Sequence, residues 1–165
     1  MEVRHGVGTF VARRPRAARV LKAANRRATR KELDELRSGL EGVIAARASE
    51  RATSHRLREL RFALGERSLA SKSGSPDIFT SADLEFHHRV AQAAGNALAV
   101  SLHRMACVGL RSQLIAKARL LASDRRLDDL HAALVDAIEA GRQASAARAA
   151  ATIAWIEGQA QPPSS

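Results

Sequence analysis

The sequence predicts an all-α fold, an antiparallel bundle of about six helices preceded by a short β-hairpin, on three observations. Ala, Leu and Arg dominate while aromatics are scarce, with one Trp, four Phe and no Tyr, a bias toward residues that lose little freedom in a helix. From residue 31 onward, apolar residues recur at spacings of 3, 4 and 7, the period of an amphipathic helix. Clusters of Ser, Gly, Asn and Pro interrupt that pattern, so the connections are short and neighbouring helices run antiparallel. At 165 residues the chain suits one domain with a substantial core.

The opening "EVRHGVGTFVA" reads as two strands, about 2–5 and 9–13, around a turn where Gly6 and Gly8 supply positive φ. Pro15 ends the hairpin because it has no N–H to donate. Residues 15–30 are basic and Ala-rich without an apolar stripe, which predicts a linker. A first helix, about 31–49, turns Leu33, Leu36, Leu40, Val43 and Ile44 to one face. A second begins near Thr53, carries Leu57, Leu60 and Leu64 inward, and stops before "SKSGSPD".

The third is expected from Thr80, whose spacing to Asp83 is that of a capping box, to Gly95 and Asn96. The fourth, about 97–121, carries Leu98, Leu102, Met105, Leu110, Leu114 and Leu121. Ser123 or Asp124 caps a fifth with Leu127, Leu130, Leu134 and Ile138 inward, stopped by Gly141. The sixth, about 143–157, buries Ala146, Ala149, Ala150, Ile153 and Ile156. The tail 159–165 is expected to be disordered.

Charge is distributed unevenly. Residues 1–31 hold ten Lys/Arg against Glu2, so of the net +10 only +1 remains for the rest. A basic arm on a near-neutral body suits a polyanion such as nucleic acid; a solvated linker reads the same way on charge alone. The single Cys107 excludes an internal disulfide and fits a reducing compartment. No apolar run reaches the roughly 20 residues of a membrane span, nor does the N-terminus show a secretory core region. A cytoplasmic protein without membrane contact is therefore expected.

Chemistry concentrates in "DLEFHHRV". Asp83 and His87 are four apart and share a helix face with Val90, Ala91 and Ala94, while His88 lies about 100° away. Burying a carboxylate and an imidazole unpaired is costly. A divalent metal such as Zn²⁺, Ni²⁺ or Mn²⁺ relieves that cost, and His131, flanking the fifth stripe between Leu130 and Leu134, supplies another ligand of the right type. Structural roles, with Asp83 capping beside Thr80 and the histidines hydrogen-bonded in the core, fit the same spacing. Walker, H-E-x-x-H and G-x-S-x-G patterns are absent, and no catalytic constellation emerges.

Two stretches together resemble one family. "EVRHGVGTFVA" is similar to the wing of the winged helix-turn-helix in GntR-type transcription regulators, with their Gly-x-Gly-Thr-Phe-Val signature. "LRSGLEGVIAARAS", "DLEFHHRVAQAAGN" and "LHAALVDAIEAG" resemble the FCD ligand-sensing domain of the FadR subfamily. The resemblance implies residues 1–14 as a wing remnant, 15–30 as linker and 31–158 as the FCD-like domain. It also implies a homodimer that binds a small organic acid, often through a metal held by one Asp and three His. The matching positions are Asp83, His87 and His131; the fourth, about 22 residues further, falls on Ile153.

Arg37 is the counterpart of an arginine that faces the pocket and can pair with a ligand carboxylate; a surface pair with Glu41 is the other reading of it. The wing residues Arg4, His5, Gly6, Gly8, Thr9, Arg13 and Arg14 are the expected DNA contacts. The family's recognition helix precedes its wing, so this stretch is expected to bind DNA weakly, mainly through phosphates. A stand-alone ligand-binding and dimerisation module, and a small metal-dependent helical-bundle enzyme, are the alternatives.

Overall fold

The computed structural model describes residues 27–160 and, before them, the backbone of β1 (Glu2–Arg4) and β2 (Gly8–Phe10). The two strands pair antiparallel with Val3 opposite Thr9. The remainder of the expected hairpin, the linker as far as residue 26 and the tail from residue 161 lie outside the described residues. The body is all-helical: α1 (Arg30–Arg51), α2 (Ser54–Ser71), α3 (Pro76–Ala93), α4 (Ala97–Ser123), α5 (Arg125–Glu139) and α6 (Gln143–Gln159).

Local chemistry starts and stops these helices. Thr29 caps α1 in a reciprocal box: the Glu32 N–H donates to Thr29 Oγ1 at 3.3 Å, and the Thr29 N–H donates to Glu32 Oε2 at 2.6 Å. Thr29→Ala is expected to cost about 1 kcal/mol, read as a lower urea midpoint; an unchanged midpoint would mean that the first turn frays freely. Asn96 Oδ1 accepts the N–H groups of Leu98 and Ala99 at 3.1 Å to open α4, and Asp124 opens α5. Gly95 and Gly141, at φ +66° and +68°, make the left-handed turns that follow α3 and α5.

The third helix begins a full turn earlier than the Thr80–Asp83 box predicts. Ser75 is the cap, accepting the Ile78 N–H, and Pro76 takes the first helical position, where its missing N–H costs nothing. Thr80 is therefore inside the helix, buried, and its hydroxyl has no hydrogen-bond partner. Asp83 is released from capping and faces the core.

Helix α1 lies along α6 and also meets α3, α4 and α5. Gly42 lies at the α1–α6 contact, where an added Cβ would meet the Ala147 carbonyl oxygen at 3.4 Å, an ordinary van der Waals distance. Ile44, Leu60, Phe86, Leu110, Leu127, Leu134, Ile138 and Ile153 fill the core, each worth about 1.5–3 kcal/mol of apolar burial. Two residues expected inside are outside: Leu36 is 49% exposed and Val43 62%. The inward stripe of α1 runs instead through Leu33, Arg37, Glu41, Ile44, Ala45 and Ala48, rotated so that two charged side chains enter. On α4, Leu98 is likewise exposed while His103 and Lys117 are buried.

Candidate functional site

Asp83 and His87 stand one turn apart on the buried face of α3, His131 reaches them from α5, and Glu157 arrives from the last turn of α6. One donor atom from each lies within 4.8 Å of every other. The Nε2 atoms of His87 and His131 are 3.4 Å apart, and His131 Nε2 is 3.6 Å from Asp83 Oδ1. Phe86 packs edge-on to both imidazoles, with centroids 5.3 and 5.1 Å away. His88 is half-buried on another face, against the Gln92 amide.

The outer nitrogens of both rings are occupied. His131 Nδ1 lies 2.6 Å from the Leu127 carbonyl oxygen, which only accepts, so Nδ1 carries the proton and Nε2 presents a lone pair. Burial, with Arg67 nearby, drives His131 down to about 3, so it is neutral and its approach to Asp83 is not an ion pair. His87 Nδ1 faces Glu41 Oε2 at 3.0 Å. Burial opposes a charge on His87, but Glu41 and Asp83 hold its pKa above the ordinary imidazole value.

Around this centre sit buried cations. Arg37 Nε donates to Glu41 Oε1 at 2.6 Å and Nη2 donates to Glu157. The pair with Glu41 is thus real but sits in the core, not on the surface. Burial works against ionising Glu41, yet Arg37 and His87 hold it well below the usual carboxylate range. Burial pushes Glu157 up, with Arg37 pulling the other way. Arg67 Nε donates to Asp83 Oδ1 at 2.6 Å, Nη1 donates to Asp128 Oδ1 at 2.7 Å, and its guanidinium stacks 5.2 Å over Phe79. Lys117 Nζ donates to the carbonyls of Glu157 and Gly158 at the end of α6.

The donor set fits a divalent metal. Two nitrogens bound at about 2.0–2.1 Å to one tetrahedral ion stand about 3.4 Å apart, the separation seen between the two Nε2 atoms. A carboxylate behind His87 and a carbonyl behind His131 orient those lone pairs, as outer-shell partners of metal-bound histidines do. Glu157 Oε1 is buried without a hydrogen-bond partner, an acceptor available to a cation. Ile153 is core, fully buried, and the acidic group comes from one turn further along the same face of α6.

Sequence reading brought Asp83, His87, His131 and Arg37 to this region but missed Glu157, Arg67 and His103, and considered Glu41 only as the partner of Arg37 in its alternative, surface reading. The spacing carried a signal for some of these. Arg67 continues the buried α2 line of Leu60 and Ala63, and Glu157 follows Ile153 at i+4. His103 Nε2 lies 3.4 Å from Glu41 Oε1 and within 3.5 Å of the Cys107 sulfur. Burial lifts the Cys107 thiol to about 11, leaving it protonated and inert at neutral pH. Iodoacetamide at mildly alkaline pH is accordingly expected to label Cys107 only after denaturation; labelling of the native protein at the rate of a free thiol would contradict this packing.

Of the expected DNA contacts, Arg4, Gly8 and Thr9 lie on the strands as backbone only, and His5, Gly6, Arg13 and Arg14 fall outside the described residues. No helix of the described residues is long and apolar enough to cross a membrane.

A family model for the FCD domain matches residues 32–154. No curated protein matches the sequence. Among solved structures, the fold is similar to that of Escherichia coli McbR/YncC, with a TM-score of 0.67 and 18% identity over 76% of this chain and 64% of that one. It is similar also to Streptococcus agalactiae GntR, with a TM-score of 0.67 and 22% identity over 96% of this chain and 73% of that one. The chain therefore spans 64% of the length of the first of these proteins, and both likenesses concern the fold.

Proposed function

The chain belongs to the FCD domain family, and from that premise we propose that it is the effector-sensing and dimerisation part of a GntR-type transcription regulator. The effector is a small carboxylate taken at the cluster of Asp83, His87, His131 and Arg37. The observation that carries this reading is the convergence of four metal-type ligands beside a buried guanidinium. On this reading the cluster is a sensor and not a catalytic centre.

Asp83, His87 and His131, with Glu157 as fourth ligand, would hold a divalent ion such as Zn²⁺, Ni²⁺ or Mn²⁺. When bound, the ion supplies a Lewis-acidic coordination position for the effector carboxylate. Arg37 supplies the matching fork: its Nη1 is buried without a hydrogen-bond partner, and exchanging Glu157 for a ligand carboxylate would restore a two-pronged contact.

That exchange has a route outward. Glu157 lies in the last turn of α6, where Arg30 Nη2 donates to the carbonyls of Gly158 at 3.0 Å and Ala160 at 3.2 Å. Arg30 is the first residue of α1 and adjoins the basic N-terminal segment, the proposed DNA contact. An effector with unequal affinity for two positions of this turn shifts the balance between them.

Thermal-shift measurements on the full chain, with each of Zn²⁺, Ni²⁺ and Mn²⁺ and a panel of mono- and dicarboxylates, test the proposal. Saturation at 100-fold over Kd is expected to add about 2.7 kcal/mol of stability, and His87→Ala to remove the response. If no carboxylate raises the midpoint with or without metal, the sensor reading is wrong.

A further inference from the structure

We propose that Arg67 is an internal competitor for the metal site: its guanidinium holds the Asp83 oxygen that faces His131 and thereby keeps divalent-ion binding weak and reversible. This rests on the metal reading above but concerns a residue outside the ligand set. Arg67 belongs to α2, a helix that contributes none of the four ligands.

The geometry is specific. Asp83 Oδ1 is the oxygen 3.6 Å from His131 Nε2, and the same atom accepts Arg67 Nε at 2.6 Å. A cation reaching both imidazole nitrogens must share that carboxylate with a guanidinium that is itself only 1% exposed. Two positive groups on one buried oxygen repel strongly, because little water is present to screen them.

Arg67 also has somewhere to go. Its Nη1 already holds Asp128, whose side chain is 43% exposed, and its Nη2 is buried with no hydrogen-bond partner. A metal that claims Asp83 would leave the guanidinium on Asp128, tightening the link between α2 and α5. The competition is thus a two-position arrangement of one side chain between an inner and an outer carboxylate.

Calorimetric titration of the full chain with Zn²⁺, comparing the parent with Arg67→Gln and Arg67→Lys, separates charge from shape, since both variants lose the fork and only the lysine keeps the cation. Outer-shell residues shift metal affinity by about 10–100-fold, and because Arg67 brings a like charge to the ligand oxygen its loss acts in the tightening direction: R67Q is expected to bind Zn²⁺ at least about tenfold more tightly and R67K to stay near the parent. Equal affinity in all three would make Arg67 merely structural and overturn the proposal while leaving the metal reading intact. Zn²⁺ binding by R67Q but not by the parent would support the competition and overturn the metal reading for the native chain. No binding by either would overturn both. Should R67Q fail to fold with and without Zn²⁺, Asp128→Asn decides: with its outer partner gone, Arg67 leans on Asp83, and Zn²⁺ affinity at high salt is expected to fall; unchanged or tighter binding would overturn the proposal.

Discussion

Arg37→Met is expected to cost about 3–5 kcal/mol of folding stability, the usual loss when one member of a buried ionic network is removed. The side chain is 1% exposed and bridges Glu41 on its own helix to Glu157 on α6. Its removal strands two carboxylates where water cannot reach them. Against a total stability of roughly 5–15 kcal/mol, such a loss brings the domain close to unfolding. The surface pair Arg47–Glu50, about half exposed on the arginine side, gives the contrast, since breaking a pair of that kind costs about 0–1 kcal/mol.

Urea denaturation followed by circular dichroism measures both. A loss below about 1 kcal/mol for Arg37→Met would show that the site is solvated and the fork unimportant. Arg37→Lys should fall between, because an ammonium cannot hold both carboxylates in the guanidinium geometry. Combining Arg37→Met with Glu41→Leu and Glu157→Leu should recover much of the stability, because apolar replacement of a whole buried network is often neutral or stabilising. That recovery would assign the single-variant loss to stranded charge rather than lost packing.

The second large effect is on metal affinity. His87→Ala and His131→Ala each remove a ligand and should weaken Zn²⁺ binding by more than the roughly 10–100-fold that outer-shell changes cost, whereas His88→Ala should leave it unchanged. His87 and His88 are neighbours in sequence, but the helix turns about 100° per residue, and His88 meets Gln92 instead of the cluster. Competition against a chromogenic chelator reads all three. Equal weakening by His88→Ala would mean that binding follows the His pair as an exposed surface site and not the buried convergence.

Helix number, approximate boundaries and most core leucines were legible because they follow from short-range rules. A run of 3–4 spacing ends at Gly95 and resumes after Asn96, and the structure places the break there. The third helix shows how two local rules compete: Thr80 and Asp83 have box spacing, but Ser75 and Pro76 offer a cap one turn earlier, and the longer helix buries more surface. Asp83, His87 and His131 could be grouped because each sits on an apolar stripe of its own helix. The position that the family resemblance implies for a further ligand is Ile153, an apolar residue; the acidic group sits one turn on, at Glu157.

The apolar period of α1 allowed two facings, one through Leu36 and Val43 and one through Arg37 and Glu41. Composition favours the first, and the protein adopts the second. A buried charge is tolerable only with a partner; Arg37 and Glu41 pair within α1, but each also needs a partner from another helix, Glu157 and His87, as Arg67 needs Asp83. Amphipathic period and caps thus set the helices and their order from within the chain. The direction each helix turned its charges depended on partners as far as 120 residues away, and that information exists only once the bundle has closed.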